Sequence, residues 1–342
     1  MNDHPDYQLA KFCKQYGSKK IEIISSTEPN IYLTPNLDVY QHVNPDCDLI
    51  LFDTTFFPNS AEQCYTWIKS LKLKHDYAFV TSNFSYFKSN DPNVIYFPFY
   101  YFQLYDNPTR KIYNIKALRE YPMQCFNLNP WLHKTINILQ MSQRAWFGRV
   151  LATFHWLSPT NVNIPPTNLV NQVLTELNDE EINILNSLNL PITVNLPDDP
   201  YPAGWIYVSN AGRGHEVSYI DYVNESCVTE QFISEKIWKP LFSGQLFLCL
   251  GPPGIIQHLK DLGFDIFDDI IDHYKYDNIQ GSSPADLRAK VTAILDIAEN
   301  LLSKDLNQVW EQTYERRLKN LNYILSDEFK FKILIKLIKK VS

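Results

Sequence analysis

The sequence predicts an α/β fold built from more than one domain, and three observations support this prediction. Short β-rich runs alternate with helix-compatible segments along the front of the chain, which favours a mostly parallel sheet. Residues 246–250 are apolar throughout and are followed by a Gly-Pro-Pro-Gly turn at 251–254, as expected for a fully buried parallel strand. The 342 residues exceed one typical domain and fit two of moderate size.

The front of the chain predicts a smaller α/β domain that spans residues 1–115. Aromatic residues 97–102 and the polar residues 106–110 that follow them indicate the exit from this domain. The aromatic side chains are typical of a core, and an acceptor surface that stacks on sugars or bases is the alternative. Strands are predicted at 21–24, 48–52, 77–80 and 93–97, with a helix-compatible segment at 60–73.

Residues 116–300 predict a second α/β domain, and residues 301–342 predict C-terminal helices that pack across the domains. The prolines of the insert at 195–202 predict a loop there. Arg213 lies between two glycines in a flexible basic segment that could reach a diphosphate, and an ordinary surface loop is the alternative. Strands are predicted at 124–127, 150–154 and 218–223, and helices at 133–143 and 166–177.

The start of a predicted helix after Ser234 combines several features of an anion site. Ser234 is a good N-cap residue, and Glu235 stands in the first turn. The uncapped N–H groups and the helix dipole make this end attractive to phosphate. Lys236 and Lys239 share roughly one helical face, whereas Glu235 is expected to point elsewhere and to be free for a ribose diol. Pro240 is expected to kink or break this helix in its next turn.

Segments 224–254 and 123–134 together resemble the donor-binding domain of fucosyltransferase-like and exostosin-like glycosyltransferases of the GT-B fold. In that family a Glu-Lys pair after a loop precedes a helix, a hydrophobic strand and Gly-Pro, as Glu235 and Lys236 do here. The resemblance implies two Rossmann-like domains facing a cleft, with C-terminal helices, and a UDP- or GDP-sugar donor without a required metal. It also implies that Glu235 holds the ribose and Lys236 the diphosphate. Further donor-binding residues are then expected at Asn127, Asn129, Lys134, Arg213, Glu225, Lys239 and Gly251.

The chemistry of glycosyl transfer adds expectations about catalysis. The leaving diphosphate needs positive charge or a helix dipole, and the acceptor hydroxyl often needs a base. Asp53, which follows a predicted strand, and His133 are the candidate bases. The metal-dependent class of these enzymes carries an Asp-x-Asp motif, and the match at residues 46–48 enters a front-domain strand and is interpreted as chance. Similar proteins have arginines where this chain has Leu128 and Lys134.

The composition predicts a folded, soluble protein of a reducing cytoplasm. Hydrophobic residues make up 45% of the chain and aromatic residues 14%, which is ample for two cores. A net charge of −7 argues against a protein that binds nucleic acid over a broad basic face. No apolar run approaches the roughly 20 residues needed to span a bilayer, and the polar N-terminus shows no targeting signal. Six dispersed cysteines show no zinc-site spacing.

Two other functions stay open from the sequence. A phage-type transferase that glycosylates modified DNA bases would share the GT-B frame, and a catalytically inactive GT-B-like protein would keep the frame without nucleotide affinity. The acceptor of an active enzyme is therefore a glycan, a protein or modified DNA. Residues 329–340 mix lysines with apolar residues, a composition compatible with peripheral contact to an anionic membrane. A last helix that packs across the domains, with its lysines in water, is the favoured interpretation.

Overall fold

The computed structural model describes residues 5–25, 46–54, 61–71, 73–105, 124–126, 218–225, 231–281 and 284–342. The chain divides into two compact units, each with a parallel sheet, and an α/β fold is therefore confirmed. The first unit comprises Met1–Pro108, Glu230–Ile233 and Leu325–Ser342. The second unit comprises Thr109–Thr229 and Ser234–Ile324. The domain limits expected from the sequence, at 115 and 300, stay predictions.

The first unit is built on a four-stranded parallel sheet. Its elements in chain order are α1 (Pro5–Tyr16), β1 (Ile21–Ser25), β2 (Leu49–Asp53), α2 (Ala61–Ser70), β3 (Asp76–Thr81), a 3-10 helix (Phe84–Tyr86), β4 (Val94–Tyr96) and α3 (Phe99–Tyr105). The strands lie in the order β1-β2-β3-β4, and each runs parallel to its neighbour. All four strands predicted here, and the helix predicted between the second and third, are confirmed to within a few residues.

Both faces of this sheet are covered, which explains why the central strand β2 is buried along its whole length and is apolar from Leu49 to Phe52. On one face Ile50 and Phe52 of β2 pack in a buried cluster with Ile68 of α2. Side chains alternate along a strand, so Asp53 points to the opposite face. There its carboxylate acts on the thiol of Cys13 in α1, which packs beside β1. Asp53 is therefore held between a buried strand and a helix.

The second unit contains a three-stranded parallel sheet and most of the helices that follow it. Its described elements are β5 (Gln124–Phe126), β6 (Ser218–Asn224), α4 (Glu235–Ser243), β7 (Leu246–Leu250), α5 (Ile255–Leu262), α6 (Tyr274–Asp277), α7 (Pro284–Leu302), α8 (Leu306–Gln312) and α9 (Tyr314–Ile324). The strand order is β5-β6-β7. The strands predicted at 124–127, 218–223 and 246–250 are confirmed, and β7 is buried along its whole length.

Helix α4 has well-defined ends although it contains a proline. It begins after the N-cap Ser234 and ends at Gly244, whose φ of 64° is the left-handed conformation common at helix C-termini. Pro240 lies inside the helix, which continues to Ser243, so the expected break does not occur. The buried guanidinium of Arg317 in α9 donates to the Gly244 carbonyl at 3.0 Å. This contact satisfies a carbonyl that the helix end leaves open.

The last helix, α10 (Asp327–Val341), belongs to the first unit. Its buried face packs into that unit, and four of its five lysines fall into two groups. Lys336 donates to the Ser89 carbonyl, and Lys340 pairs with Asp76, so these two lysines bind other parts of the first unit. Lys332 and Lys339 are exposed, as the sequence predicts. The buried face consists of Phe329, Ile333, Leu334, Leu337 and Val341.

Several predicted elements lie outside the described residues. They are the strand at 150–154, the helices at 133–143 and 166–177, the insert at 195–202 and the basic segment at 211–215. In the part of the chain that is described, no helix combines the length and the apolar composition needed to cross a membrane.

Candidate functional site

The candidate site begins where two neighbouring strands of the second unit end. β6 and β7 run parallel, with Asn224 opposite Leu250, so their carboxyl ends lie side by side. The N–H of Glu225 donates to the Leu250 carbonyl at 2.9 Å and extends this pairing by one residue. The chain that leads toward α4 and the turn at 251–254 therefore leave from the same sheet edge. In open α/β sheets this edge is where ligands bind.

Ser234 connects the groups at the start of α4. Its hydroxyl accepts a hydrogen bond from the Lys236 N–H at 3.3 Å, which is the N-cap interaction that the sequence predicts. The same oxygen accepts from the Lys236 ammonium at 3.2 Å. Its single proton is donated to Oε2 of Glu225 at 2.5 Å. One buried hydroxyl thus joins a helix N-terminus, an ammonium group and a carboxylate.

Glu235 adds a second carboxylate to this cluster. Its Oε1 accepts from the Lys236 ammonium at 3.2 Å, and the two side chains are 28% and 8% exposed respectively. The expectation that Glu235 points away from Lys236 is therefore wrong, because the long lysine side chain turns back toward its neighbour. Backbone spacing gives the direction of Cβ but does not fix four rotatable side-chain bonds.

The surroundings of the two glutamates shift their pKa values in opposite directions. Burial raises the pKa of Glu225 above its ordinary value, although Lys236 and the Ser234 hydroxyl oppose this effect. Burial would also raise the pKa of Glu235, but the ammonium groups of Lys236 and Lys239 outweigh it and lower that pKa to about 2. Glu235 is therefore ionised at neutral pH, whereas Glu225 holds its proton more strongly than an ordinary glutamate.

Glu225 is the most deeply buried member of this cluster. Only 2% of the residue is exposed, and among the described residues its Oε1 has no hydrogen-bond partner. Its Cγ would lie 3.5 Å from a Cβ placed on Gly251, and the Cys249 sulfur would lie 3.1 Å from that Cβ. Of these two contacts, only that with Cys249 is tighter than ordinary packing, so glycine at 251 allows the turn after β7 to pass close to the Cys249 side chain, next to Glu225.

A second pair of buried charges holds the turn at 251–254. The Gly254 N–H donates to Oδ1 of Asp277 at 3.1 Å, and the Lys290 ammonium donates to the Gly251 carbonyl at 3.4 Å. Asp277 is 4% exposed and Lys290 is 1% exposed. Burial raises the pKa of Asp277 to about 6 and lowers that of Lys290. Sequence reasoning missed both residues, since they come from α6 and α7 and no local pattern marks them.

His273 is buried behind β7 and has a structural role. Its Nε2 lies 2.9 Å from the Ile266 carbonyl, which can only accept, so Nε2 carries the proton. Its Nδ1 then accepts from the Tyr276 hydroxyl, whose oxygen accepts from the Cys249 N–H at 3.2 Å. Burial lowers the pKa of His273 to about 4, so the ring is neutral. This chain of hydrogen bonds holds β7 in place through the Cys249 N–H.

The structure brings together some of the predicted site residues and not others. Glu225, Glu235, Lys236 and Gly251 meet at one sheet edge, and Lys239 acts on the charge of Glu235. Asp53 belongs to the first unit. The remaining predicted residues, Asn127, Asn129, His133, Lys134 and Arg213, lie outside the described residues.

Asp53, the predicted base, stands at the carboxyl end of β2 and is 3% exposed. Burial raises the pKa of the Cys13 thiol to about 12, and the negative charge of the Asp53 carboxylate contributes to this shift. A general base must come within hydrogen-bond reach of the proton that it removes. The role of Asp53 as a base stays a prediction.

Within the described ranges, no three His, Cys, Asp or Glu side chains are grouped so that they could hold a metal ion. Comparisons of the chain with protein-family models, with curated proteins and with solved structures found no match.

Proposed function

We propose that the protein is a glycosyltransferase that moves a sugar from a UDP- or GDP-sugar to an acceptor hydroxyl. The second unit is the proposed donor-binding domain, and the two units are the proposed Rossmann-like domains of a GT-B fold. One observation carries the proposal: Glu225, Ser234, Glu235 and Lys236 form a buried polar cluster where two parallel strands end and α4 begins.

The cluster suits a leaving diphosphate because it can carry net positive charge. When Glu225 holds its proton, the two ammonium groups of Lys236 and Lys239 face one ionised carboxylate, Glu235, which leaves one positive charge. The N-terminus of α4 adds the positive end of a helix dipole. Fixed positive charge of this kind stabilises the charge that develops on a leaving group without any bound metal.

Glu235 is the proposed ribose-binding residue. It is ionised at neutral pH, and its side chain is more exposed than that of Lys236. A carboxylate accepts hydrogen bonds only, so it is matched to the two hydroxyl donors of a ribose diol. Lys236 holds the carboxylate from one side through Oε1 and so limits its orientation. Removing the Glu235 charge therefore weakens donor binding and loosens Lys236.

The remaining catalytic and donor-binding roles are proposed from the sequence. Asp53 or His133 deprotonates the acceptor hydroxyl, and Arg213 assists Lys236 at the diphosphate. The other predicted donor-binding residues, Asn127, Asn129 and Lys134, complete the donor site.

The experiment measures release of the nucleotide from a panel of UDP-, GDP-, CMP- and dTDP-sugars by the purified protein, with and without candidate acceptors. One nucleotide class is expected to be released above the blank rate. The Glu235→Gln variant should lose this release, whereas Glu315→Gln, an exposed glutamate in the first turn of α9, should keep it. Equal nucleotide release by the wild-type protein and the Glu235→Gln variant would contradict the proposal.

A further inference from the structure

Helix α5 follows the turn of the candidate site and lacks an N-cap side chain of its own. Its N-cap residue is Gly254, with a φ of 83°, and no side chain at the N-cap position satisfies the first N–H groups. In a helix of this kind the open N–H groups attract an anion. Within the second unit, a ligand phosphate near this sheet edge could therefore bind at either of two helix N-termini, that of α4 or that of α5.

The N-terminal end of α5 is already filled by a carboxylate from elsewhere in the chain. Oδ1 of Asp277, at the end of α6, accepts from the Gly254 N–H at 3.1 Å. The backbone N–H groups of Ile256 and Gln257 also bind this carboxylate and favour its charged form. Asp277 thus makes the contacts that a bound anion would make at a helix N-terminus.

Lys290 completes this arrangement from α7. Its ammonium group donates to the Gly251 carbonyl at the first residue of the turn, while Asp277 holds the last residue, Gly254. The charges of Lys290 and Asp277 favour one another in the buried interior. Both ends of the four-residue turn are therefore fixed by one pair of opposite charges. A buried charge that loses its partner is strongly unfavourable, so each of the two depends on the other.

We propose that Asp277 is an internal anion that occupies the N-terminus of α5 and, together with Lys290, positions the turn Gly251–Gly254 of the candidate site. A ligand phosphate is thereby directed to the N-terminus of α4, where Lys236 lies. This second consequence rests on the proposed function, whereas the first does not. Asp277 and Lys290 are positioning residues, since they act on a ligand only through the turn.

Chemical rescue tests the internal anion directly. In Asp277→Ala a space of carboxylate size opens at the α5 N-terminus, within the electrostatic influence of Lys290, and added formate should bind there. The melting temperature of the variant should fall below that of the wild type and should rise saturably with formate, relative to chloride at equal ionic strength. The double variant Asp277→Ala, Lys290→Met lacks the counter-charge and should show no saturable rise.

Asp305 provides a matched control in the same unit. Its exposed side chain caps α8 by accepting from the N–H groups of Asn307 and Gln308, without a buried lysine beside it. Asp305→Ala should lose stability but should not respond to formate, because that helix end is open to water. A folded Asp277→Ala protein that formate does not stabilise, or equal responses of Asp277→Ala and Asp305→Ala, would overturn the internal anion.

A second variant keeps the test decisive if Asp277→Ala does not fold even with formate. Asp277→Asn retains the shape but loses the charge, and amide hydrogen exchange at Gly254 and Ile256 should then become faster than in the wild type. Unchanged exchange at these two amides would contradict the proposal.

Donor titration separates the two consequences. Lys290→Met should raise the dissociation constant of the preferred nucleotide sugar about tenfold, since a small displacement of a positioning group has effects of this order or larger. Formate rescue of Asp277→Ala together with no nucleotide binding by the wild type would reject the proposed function and leave the internal anion standing. Formate rescue with unchanged donor affinity in Lys290→Met would reject the positioning role.

Discussion

Glu225 and Glu235 belong to the same buried cluster, and their surroundings move their pKa values in opposite directions. Such a divergence is typical of sites where one carboxyl group stays protonated while another stays ionised. Binding a diphosphate brings negative charge close to Glu225 and therefore favours its protonated form. Donor binding and proton uptake at Glu225 should accordingly be linked.

We expect donor affinity to be highest below the pKa of Glu225 in the folded protein and to fall as the pH rises through it. In Glu225→Gln the side chain is neutral at every pH, so this dependence should flatten. Calorimetric titrations of a nucleotide sugar at a series of pH values above 4.5, the ordinary pKa of a glutamate, measure the effect, since the diphosphate diester does not titrate there. An equally steep dependence in the Gln variant would assign the proton to another group.

Glu235 should contribute to stability against acid. Its pKa is lowered from 4.5 to about 2, so the stabilisation is fully present above 4.5 and is lost as the pH falls toward 2. The shift corresponds to at most about 3 kcal/mol, and partial exposure reduces this to about 1–2 kcal/mol. Urea unfolding of Glu235→Gln at falling pH should show a shallower loss than the wild type. The exposed Glu315→Gln variant serves as control and should follow the wild type.

Lys236 should support the fold as well as the site. The sequence alone leads to the expectation that Lys236→Ala abolishes activity and leaves the fold intact. The structure revises this, because the Lys236 side chain is 8% exposed and its removal leaves the Glu235 carboxylate without its nearest counter-charge. Lys236→Met should lose about 2–4 kcal/mol of unfolding free energy.

The double variant Lys236→Met, Glu235→Gln provides the control for this prediction. It should recover part of the lost stability while remaining unable to bind donor. Chemical denaturation measures both variants, and a Lys236→Met protein as stable as the wild type would contradict the account of the buried cluster.

At the scale of elements, two serine caps allow the energetics of the α4 start to be isolated. Ser234 caps α4 and also donates to the buried Glu225, whereas Ser326 caps α10 by accepting a hydrogen bond from the Phe329 N–H at 3.1 Å. Ser326→Ala should cost about 1 kcal/mol, the usual effect of losing a cap. Ser234→Ala should cost about 1–3 kcal/mol more, because a buried carboxyl oxygen loses its donor. Equal losses in urea unfolding would show that the Ser234–Glu225 bond adds nothing.

The element scale also shows what local sequence could and could not predict. The N-cap at Ser234 and the buried strand Leu246–Leu250 follow from hydrogen-bonding chemistry and from an unbroken apolar run, and both are confirmed. The Glu235–Lys236 contact was predicted wrongly because side-chain rotamers are chosen by packing and not by spacing. Asp277 and Lys290 reach the turn from later helices, so their meeting depends on tertiary structure.

At the scale of the whole molecule, the α/β class and the strands of the described residues could be predicted from the sequence, because short β-rich runs alternate with helix-compatible segments. The candidate site was predicted in part. Glu235 and Lys236 stand beside a recognisable helix start, whereas the buried position of Glu225 depends on how β6, β7 and α4 pack.

The proposed mechanism does not use a metal, since Lys236 and the α4 dipole supply the positive charge. Nucleotide release should therefore be unchanged by EDTA. Loss of activity with EDTA that manganese or magnesium restores would contradict this part of the proposal.

The class of acceptor distinguishes the proposed glycosyltransferase from the alternative enzyme that glycosylates modified DNA bases. Binding to DNA through a basic surface depends steeply on salt, because each phosphate contact releases counterions. With a net charge of −7, we expect no salt-dependent retention of the protein on duplex DNA with unmodified or hydroxymethylated bases. Retention that falls steeply as salt rises would favour the enzyme that modifies DNA bases.

The central claim is that Glu235 and Lys236 form a nucleotide-sugar site, and calorimetric titration of the purified protein tests it most directly. UDP-, GDP-, CMP- and dTDP-sugars are titrated in turn into the wild-type protein, Glu235→Gln and Glu315→Gln. We predict saturable binding of one nucleotide class by the wild type and by Glu315→Gln, with binding lost in Glu235→Gln. No binding of any nucleotide sugar by the wild type, or undiminished binding by Glu235→Gln, would contradict the claim.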